Sequence, residues 1–222
     1  MIYRGKWPLL SFLGYDGVMK LYLSSIGVPN KQALLKLVSK DKPSVAIIPN
    51  AWDVYPEGRR KEEMVKCRKT FIDIGFDVKR VDIKSYTGDE LRTELQKHDL
   101  VWLMGGNSFY LNELVHKSGF FNVIEDLVSN GLIYGGESAG AVLAGSTLDG
   151  VDELDDPGKA SKIIRVGLGL VDFGIVPHWG MEKYTDALER CKTEMEKYAK
   201  VRVLTNEQAL VVNDGDVKLI EK

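Results

Sequence analysis

Short apolar runs alternate with amphipathic, charge-rich stretches through most of the chain, a pattern that predicts strands each followed by a helix. Residues 21–24 read as a first short strand. Asn30 stands where it can cap a helix over residues 31–39, whose Ala33, Leu34, Leu37 and Val38 form one apolar face. Ser44-Val45-Ala46-Ile47-Ile48-Pro49 is a compact apolar run and predicts a buried strand. A long helix opens within residues 55–58 and runs to Ile74, with Met64, Val65, Phe71 and Ile72 expected on its inner face and Gly75 closing it. Residues 77–82 predict a third strand, residues 88–97 a charged helix, and Leu100-Val101-Trp102-Leu103-Met104 a fourth strand that is almost wholly apolar. Gly105-Gly106-Asn107 then leads into helical segments near 108–117 and 120–130.

The next apolar run ends in glycine and turns sharply: Leu132-Ile133-Tyr134-Gly135-Gly136-Glu137-Ser138-Ala139-Gly140-Ala141. Ala141-Val142-Leu143-Ala144-Gly145 reads as a closely packed helix start. A strand that turns directly into a helix around Gly-x-Ser-x-Gly has the layout of a nucleophile elbow, which presents the serine hydroxyl at the tip of a strained turn. Beyond it, residues 149–162 are acidic and turn-rich, with Asp155-Asp156-Pro157-Gly158 at the tip of an expected exposed loop. Residues 163–166 and 174–177 predict strands, the second leading into Pro177-His178-Trp179. A helix over 182–199 and a strand over 201–204 follow, and 209–212 pairs with 217–220 across Asn213-Asp214-Gly215-Asp216 as a C-terminal β-hairpin.

Together these elements predict an α/β fold, a mostly parallel twisted sheet flanked by helices with a terminal hairpin. Ligands of such sheets bind beyond the carboxyl ends of the strands, where the turn at Gly105-Gly106-Asn107 and the serine elbow would lie side by side. No linker, repeat or low-complexity tract interrupts residues 19–222, which are expected to form a single domain. Residues 1–18 carry Arg4 and Lys6 before a short apolar stretch broken by Pro8, and Met19 is the more natural beginning; they are read as an N-terminal extension.

Composition narrows the function classes. A formal net charge of −2 leaves no electrostatic footprint for nucleic acid or an anionic membrane surface. No stretch approaches the roughly 20 apolar residues of a membrane span. Cys67 and Cys191, far apart and both in helical segments, read as unpaired thiols of a reducing cytoplasm. The scattered histidines lack the spacing of a zinc site, and Gly105-Gly106-Asn107 lacks that of a dinucleotide loop, which argues against either ligand.

A serine hydroxyl attacks a carbonyl only when a base takes its proton, and histidine is the usual base near neutral pH. Of the 3 histidines, His98 reads as a solvated loop residue and His116 as a surface residue. His178 follows a strand end, as Ser138 does. A third group must hold the imidazole in the right tautomer, and Asp149, Asp152, Glu153, Asp155 and Asp156 are candidates in the acidic loop. The oxyanion hole needs donors, for which the N–H groups of Ala139 and of Gly106 are placed, and Asn107 and Glu137 are expected to border the substrate.

Gly105-Gly106-Asn107, Gly136-Glu137-Ser138-Ala139-Gly140-Ala141 and Pro177-His178, in that order, resemble the dipeptidase E (alpha-aspartyl dipeptidase) family of serine peptidases, with cyanophycinase more distant. The similarity runs from Met19 to the final hairpin. It implies a flavodoxin-like or class I glutamine-amidotransferase-like sheet, no cofactor, and a Ser–His–acid triad that cleaves a peptide bond of a small peptide through an acyl-enzyme. Ser138 matches the nucleophile and His178 the base; the acid falls in the loop, where Asp155 is the chosen match and Glu153 the alternative. The chain departs from the family at the arginine that follows the histidine and pairs with the substrate aspartate: Lys183 occurs, but no arginine before Arg190. Lysine cannot reproduce the bidentate grip of arginine on a carboxylate, and Glu137 would repel an acidic side chain, so the expectation extends to peptide hydrolysis and not to aspartyl preference. A small peptide is the expected partner of a monomer or homodimer. The alternative function is a non-catalytic binding or regulatory protein on the same scaffold.

Overall fold

Each short apolar run from the first to the elbow forms a strand in the computed structural model, which describes residues 19–222. The extension expected over residues 1–18 lies outside the described residues. The strands are β1 (Lys20–Ser24), β2 (Ser44–Ile48), β3 (Asp77–Arg80), β4 (Leu100–Leu103), β5 (Ile133–Glu137), β6 (Phe173–Val176), β7 (Lys200–Val203), β8 (Gln208–Asn213) and β9 (Asp216–Glu221). The helices are α1 (Lys31–Val38), α2 (Glu57–Ile74), α3 (Gly88–Leu95), α4 (Ser108–Lys117), α5 (Phe120–Ser129), α6 (Ala139–Ala144) and α7 (Thr185–Met195). Seven strands form one sheet in the order β3-β2-β4-β5-β1-β8-β9, and β6 with β7 forms a separate parallel pair. From β3 to β1 the pairing is parallel; β8 and β9 add antiparallel at one edge.

The central strands bury apolar side chains in both directions because the sheet is covered on both faces. Leu21, Leu23, Ala46, Ile48, Val101 and Leu103 enter one core. Their neighbours Tyr22, Val45, Ile47, Leu100 and Trp102 point the other way into a second core, as period-two alternation requires. The first core is closed by α3, α4, α5, α6 and α7, the second by α1 and α2. Trp102 anchors the second, its ring 5.0 Å from Phe71 and 6.1 Å from Tyr22. Burying side chains of this size stabilises by about 1.5–3 kcal/mol each. No helix among the described residues is long and apolar enough to cross a membrane.

Two local expectations change. Phe71 of α2 is buried, but Val65 is 65% and Ile72 46% exposed. Met64 and Phe71 lie seven residues apart on one face, and Val65 and Ile72 are each one residue further on, which rotates them by about 100° toward solvent. Residues 163–166 do not form a strand and contribute only an isolated bridge between Thr147 and Val166. Their carbonyls have other donors: the Asn112 amide donates to Ile164 and Val166, and the Leu148 N–H donates to Arg165.

Candidate active site

Ser138 is the single residue between β5 and α6, with φ 48° and ψ −112°. A non-glycine residue held there costs on the order of 1–3 kcal/mol, so the surroundings must enforce it. They do so by close approach. A Cβ on Gly136 would lie 2.5 Å from the Gly140 carbonyl, and one on Gly140 would lie 2.2 Å from the Leu103 oxygen of β4. The Tyr134 hydroxyl donates to the Gly140 carbonyl at 2.7 Å and ties the helix to the strand it left. The Ser138 N–H donates to the Ser24 carbonyl, and its own carbonyl accepts from Val142. The serine side chain is thereby turned out of the sheet at its carboxyl edge.

His178 reaches the same edge from β6. Its backbone also lies in the left-handed region, φ 64°, held by its N–H, which donates to the Ser25 hydroxyl at 2.8 Å. Its Nε2 lies 2.9 Å from Ser138 Oγ. On the other side of the ring, Nδ1 is 2.9 Å from Asn206 Oδ1 and 3.3 Å from Ser25 Oγ, and these two side chains lie 2.9 Å from each other. The turns after β4 and β5 lie side by side: a Cβ on Gly105 would meet Ser138 Cβ at 3.1 Å. Gly106 N–H and Ala139 N–H make no backbone hydrogen bond in the loops and turns of the described residues.

The loop carboxylates have other partners. Asp155 accepts the Ser108 N–H at 2.8 Å at the start of α4, and burial raises its pKa against the hydrogen bonds from Ser108 and the charge of His178. Glu153 pairs with Arg190, Asp152 and Asp149 with Arg165, and Asp156 caps its own turn through Gly158 N–H. The expectation of an acid at His178 Nδ1 is therefore corrected: the atom there is the Asn206 amide oxygen. Asp155 faces His178 only through space. Asn107 also takes a correction. Its Oδ1 accepts the Tyr110 N–H, its Nδ2 donates to the Asp156 carbonyl, and it is buried, which makes it a helix cap that also pins the loop. Glu137 borders the cavity, where its carboxylate accepts the Gly27 N–H, and burial pushes its pKa up. His98 is half-buried three residues past α3, its ring nitrogens shielded beside Glu94 and not solvated, and His116 stacks on Phe121 at 4.3 Å.

Ser138 and His178 open on a cavity of about 570 Å³. Ser25, Gly105, Gly106, Glu137, Ala139 and Asp155 border it, with Trp52, Tyr55 and Arg59 on another wall. The Arg59 guanidinium stacks over Trp52 and Tyr55, 5.1 and 5.6 Å from the ring centres. Among the described residues no group of three or more His, Cys, Asp or Glu side chains is placed to hold a metal ion. The arrangement can pass a proton from a hydroxyl to an imidazole beside two free N–H groups, which is the chemistry of acyl transfer. Ser25 and Asn206 went unread in the sequence. The one signal available was the position of Asn206 between the last strand of the β6–β7 pair and the hairpin.

Residues 25–220 match the model of Peptidase family S51. An uncharacterized peptidase of Listeria innocua is 28% identical over 68% of this chain and 72% of its own length. Peptidase E of a Nostoc species is 32% identical over 51% of this chain and 44% of its own. A crystal structure of a candidate peptidase E protein from Listeria monocytogenes EGD-e superposes with a TM-score of 0.81 at 25% identity, covering 92% of this chain and 99% of that one.

Proposed function

The chain belongs to peptidase family S51 and is a serine-type peptidase, and on that premise we propose that Ser138 is its nucleophile and His178 its general base. The observation that carries this reading is the 2.9 Å contact between Ser138 Oγ and His178 Nε2 on a strained elbow that opens into a cavity. Family membership also stands against a non-catalytic role.

Ser138 gives its proton to His178 Nε2 as its oxygen bonds to the scissile carbonyl carbon. The N–H groups of Gly106 and Ala139 receive the resulting oxyanion. His178 then protonates the departing amine and leaves an acyl-enzyme on Ser138. In the second half, His178 takes a proton from water, which attacks the ester; the acid product leaves and the serine is restored. A cavity of about 570 Å³ lies within the range that encloses small ligands, which suits a short peptide better than a folded protein. Cys67 and Cys191 are unpaired, in keeping with a reducing cytoplasm.

Fluorophosphonate labelling and dipeptide-library cleavage test the reading. Ser138→Ala should abolish both while leaving the thermal melt unchanged. A variant that labels and cleaves as the wild type does would remove Ser138 from the mechanism.

A further inference from the structure

We propose that Glu137 makes the part of the cavity between β5 and α2 a subsite for a cationic side chain, so that the peptidase favours peptides whose scissile carbonyl belongs to a lysyl or arginyl residue. The inference rests on the reading of Ser138 and His178 given above and names the substrate class of that same site.

Alternation along β5 places the acid. Ile133 enters the second core and Tyr134 the first, so Glu137, on the same face as Ile133, points to the side that α1 and α2 cover. Its charge reaches the Cys67 thiol of α2. Cys67, Phe71 and Trp102 line the same cavity as Glu137 and Ser138. His178 comes instead from β6, whose Ile175 and Val176 belong to the first core. The nucleophile is therefore flanked by its base on one side of the sheet and by a carboxylate on the other.

That carboxylate has no counter-charge among the described residues. It accepts the Gly27 N–H at 2.5 Å, and the charge that reaches it from α2 is that of a second carboxylate, Glu63. Lys66, the cation on this wall, is divided between Glu62 at 2.8 Å and Glu63 at 3.0 Å. Burial pushes the Glu137 carboxyl above its ordinary range, and the Glu63 charge adds to this against the hydrogen bond from Gly27. Trp102 Nε1, which approaches the same carboxylate, is buried without a hydrogen-bond partner. The fold thus leaves a polar end unfinished inside an apolar wall.

A cationic nitrogen completes it. Its N–H groups donate to Glu137 in charge-assisted hydrogen bonds and keep the acid ionised, and an ionised carboxylate has lone pairs left for the indole N–H. Lysine and arginine suit the shape, since their apolar stems can pass Cys67 and Phe71 with the charge at the tip. The α-amino group of a peptide is one carbon from the reacting carbonyl and stays at the Ser138 edge, so a long side chain is needed to reach the α2 face. The departing amine must meet His178 on the other face, which puts the cation on the acyl side of the scissile bond. Arg59, stacked over Trp52 and Tyr55 on another wall, repels a cation and leaves Glu137 as its destination.

The test uses the whole chain and four dipeptides: Lys-Ala, norleucyl-alanine, Ala-Lys and alanyl-norleucine. Norleucine keeps the α-ammonium and the stem of lysine and lacks only the side-chain charge. Wild-type kcat/KM should favour Lys-Ala over norleucyl-alanine by about 10²-fold, and Ala-Lys should gain nothing over alanyl-norleucine. Calorimetric titration of Ser138→Ala, which holds the peptides uncleaved, should give the same order in Kd. In Glu137→Gln, which keeps an acceptor for Gly27, the preference for Lys-Ala should vanish. In Glu63→Gln, a change near the surface of α2, it should fall about threefold. That second variant keeps the test decisive if Glu137→Gln does not fold.

Equal affinity and turnover of Lys-Ala and norleucyl-alanine, a preference that follows Ala-Lys instead, or a lysine preference unmoved in a folded Glu137→Gln or in Glu63→Gln would each overturn the subsite. If Ser138→Ala is inactive while the wild type shows no lysine preference, this inference falls and the nucleophile assignment stands. If Ser138→Ala cleaves as the wild type does, the nucleophile assignment falls, and the wild-type ratio of Lys-Ala to norleucyl-alanine still decides the subsite.

Discussion

Replacing Gly140 by alanine tests how tightly the elbow is packed, since the same substitution elsewhere in the chain should have the opposite sign. The new Cβ would lie 2.2 Å from the Leu103 oxygen and 2.8 Å from its carbonyl carbon and Cβ, where ordinary contact begins at 3.4 Å. Relief needs a shift of about an ångström, and neither side is free to give it. Leu103 is paired on both edges of β4, and Gly140 is held to Tyr134 through its carbonyl. Overpacking of this kind costs about 3 kcal/mol. For a chain of this size that lowers Tm by about 6–12 °C. Because the shift falls next to the nucleophile, fluorophosphonate labelling should slow about 10²-fold. Gly58, in the first turn of α2, has nothing within 4 Å of the place an added methyl would take. Gly58→Ala should therefore stabilise by about 0.4–1 kcal/mol through the unfolded state. Thermal melts and labelling rates of the two variants, side by side, supply the measurement. A Gly140→Ala protein that melts and labels as the wild type does would refute the packing argument for the strained serine.

Two further outcomes concern α4 and its cap. Asn107→Ala removes the cap of α4 and the tie to Asp156, so it should lower stability by about 1–2 kcal/mol in urea unfolding; a rise in KM with no loss of stability would return Asn107 to substrate binding. Glu113 governs an acid-side effect: burial raises its carboxyl, but hydrogen bonds from Lys117 and from the side chain and backbone of Ser161 outweigh that and pull it down to about 2. A folded value below the unfolded one, near 4.3, means that its contribution is complete above that pH and is lost as pH falls toward 2. Melts between pH 5 and pH 2 should thus fall less steeply for Glu113→Gln than for the wild type, and parallel curves would refute the assignment.

The local pattern of residues determined most strands and helices and the serine elbow. Runs such as Leu100-Val101-Trp102-Leu103 can be satisfied only inside a sheet covered on both faces, and the glycines around Ser138 suit a turn too tight for side chains. His178 was legible for a related reason, since a histidine directly after a buried strand stands at the edge where such sheets bind ligands. Charge was a poorer guide. The acidic loop offered several carboxylates, and the folded chain engages them with Arg165, Arg190 and Ser108. Nothing within Thr205-Asn206-Glu207 distinguishes it from an ordinary turn. Only the antiparallel register of β8 against β1 brings Asn206 to Ser25 and both to the imidazole, because a contact between such distant residues depends on how the strands align and not on which residues adjoin them in the chain.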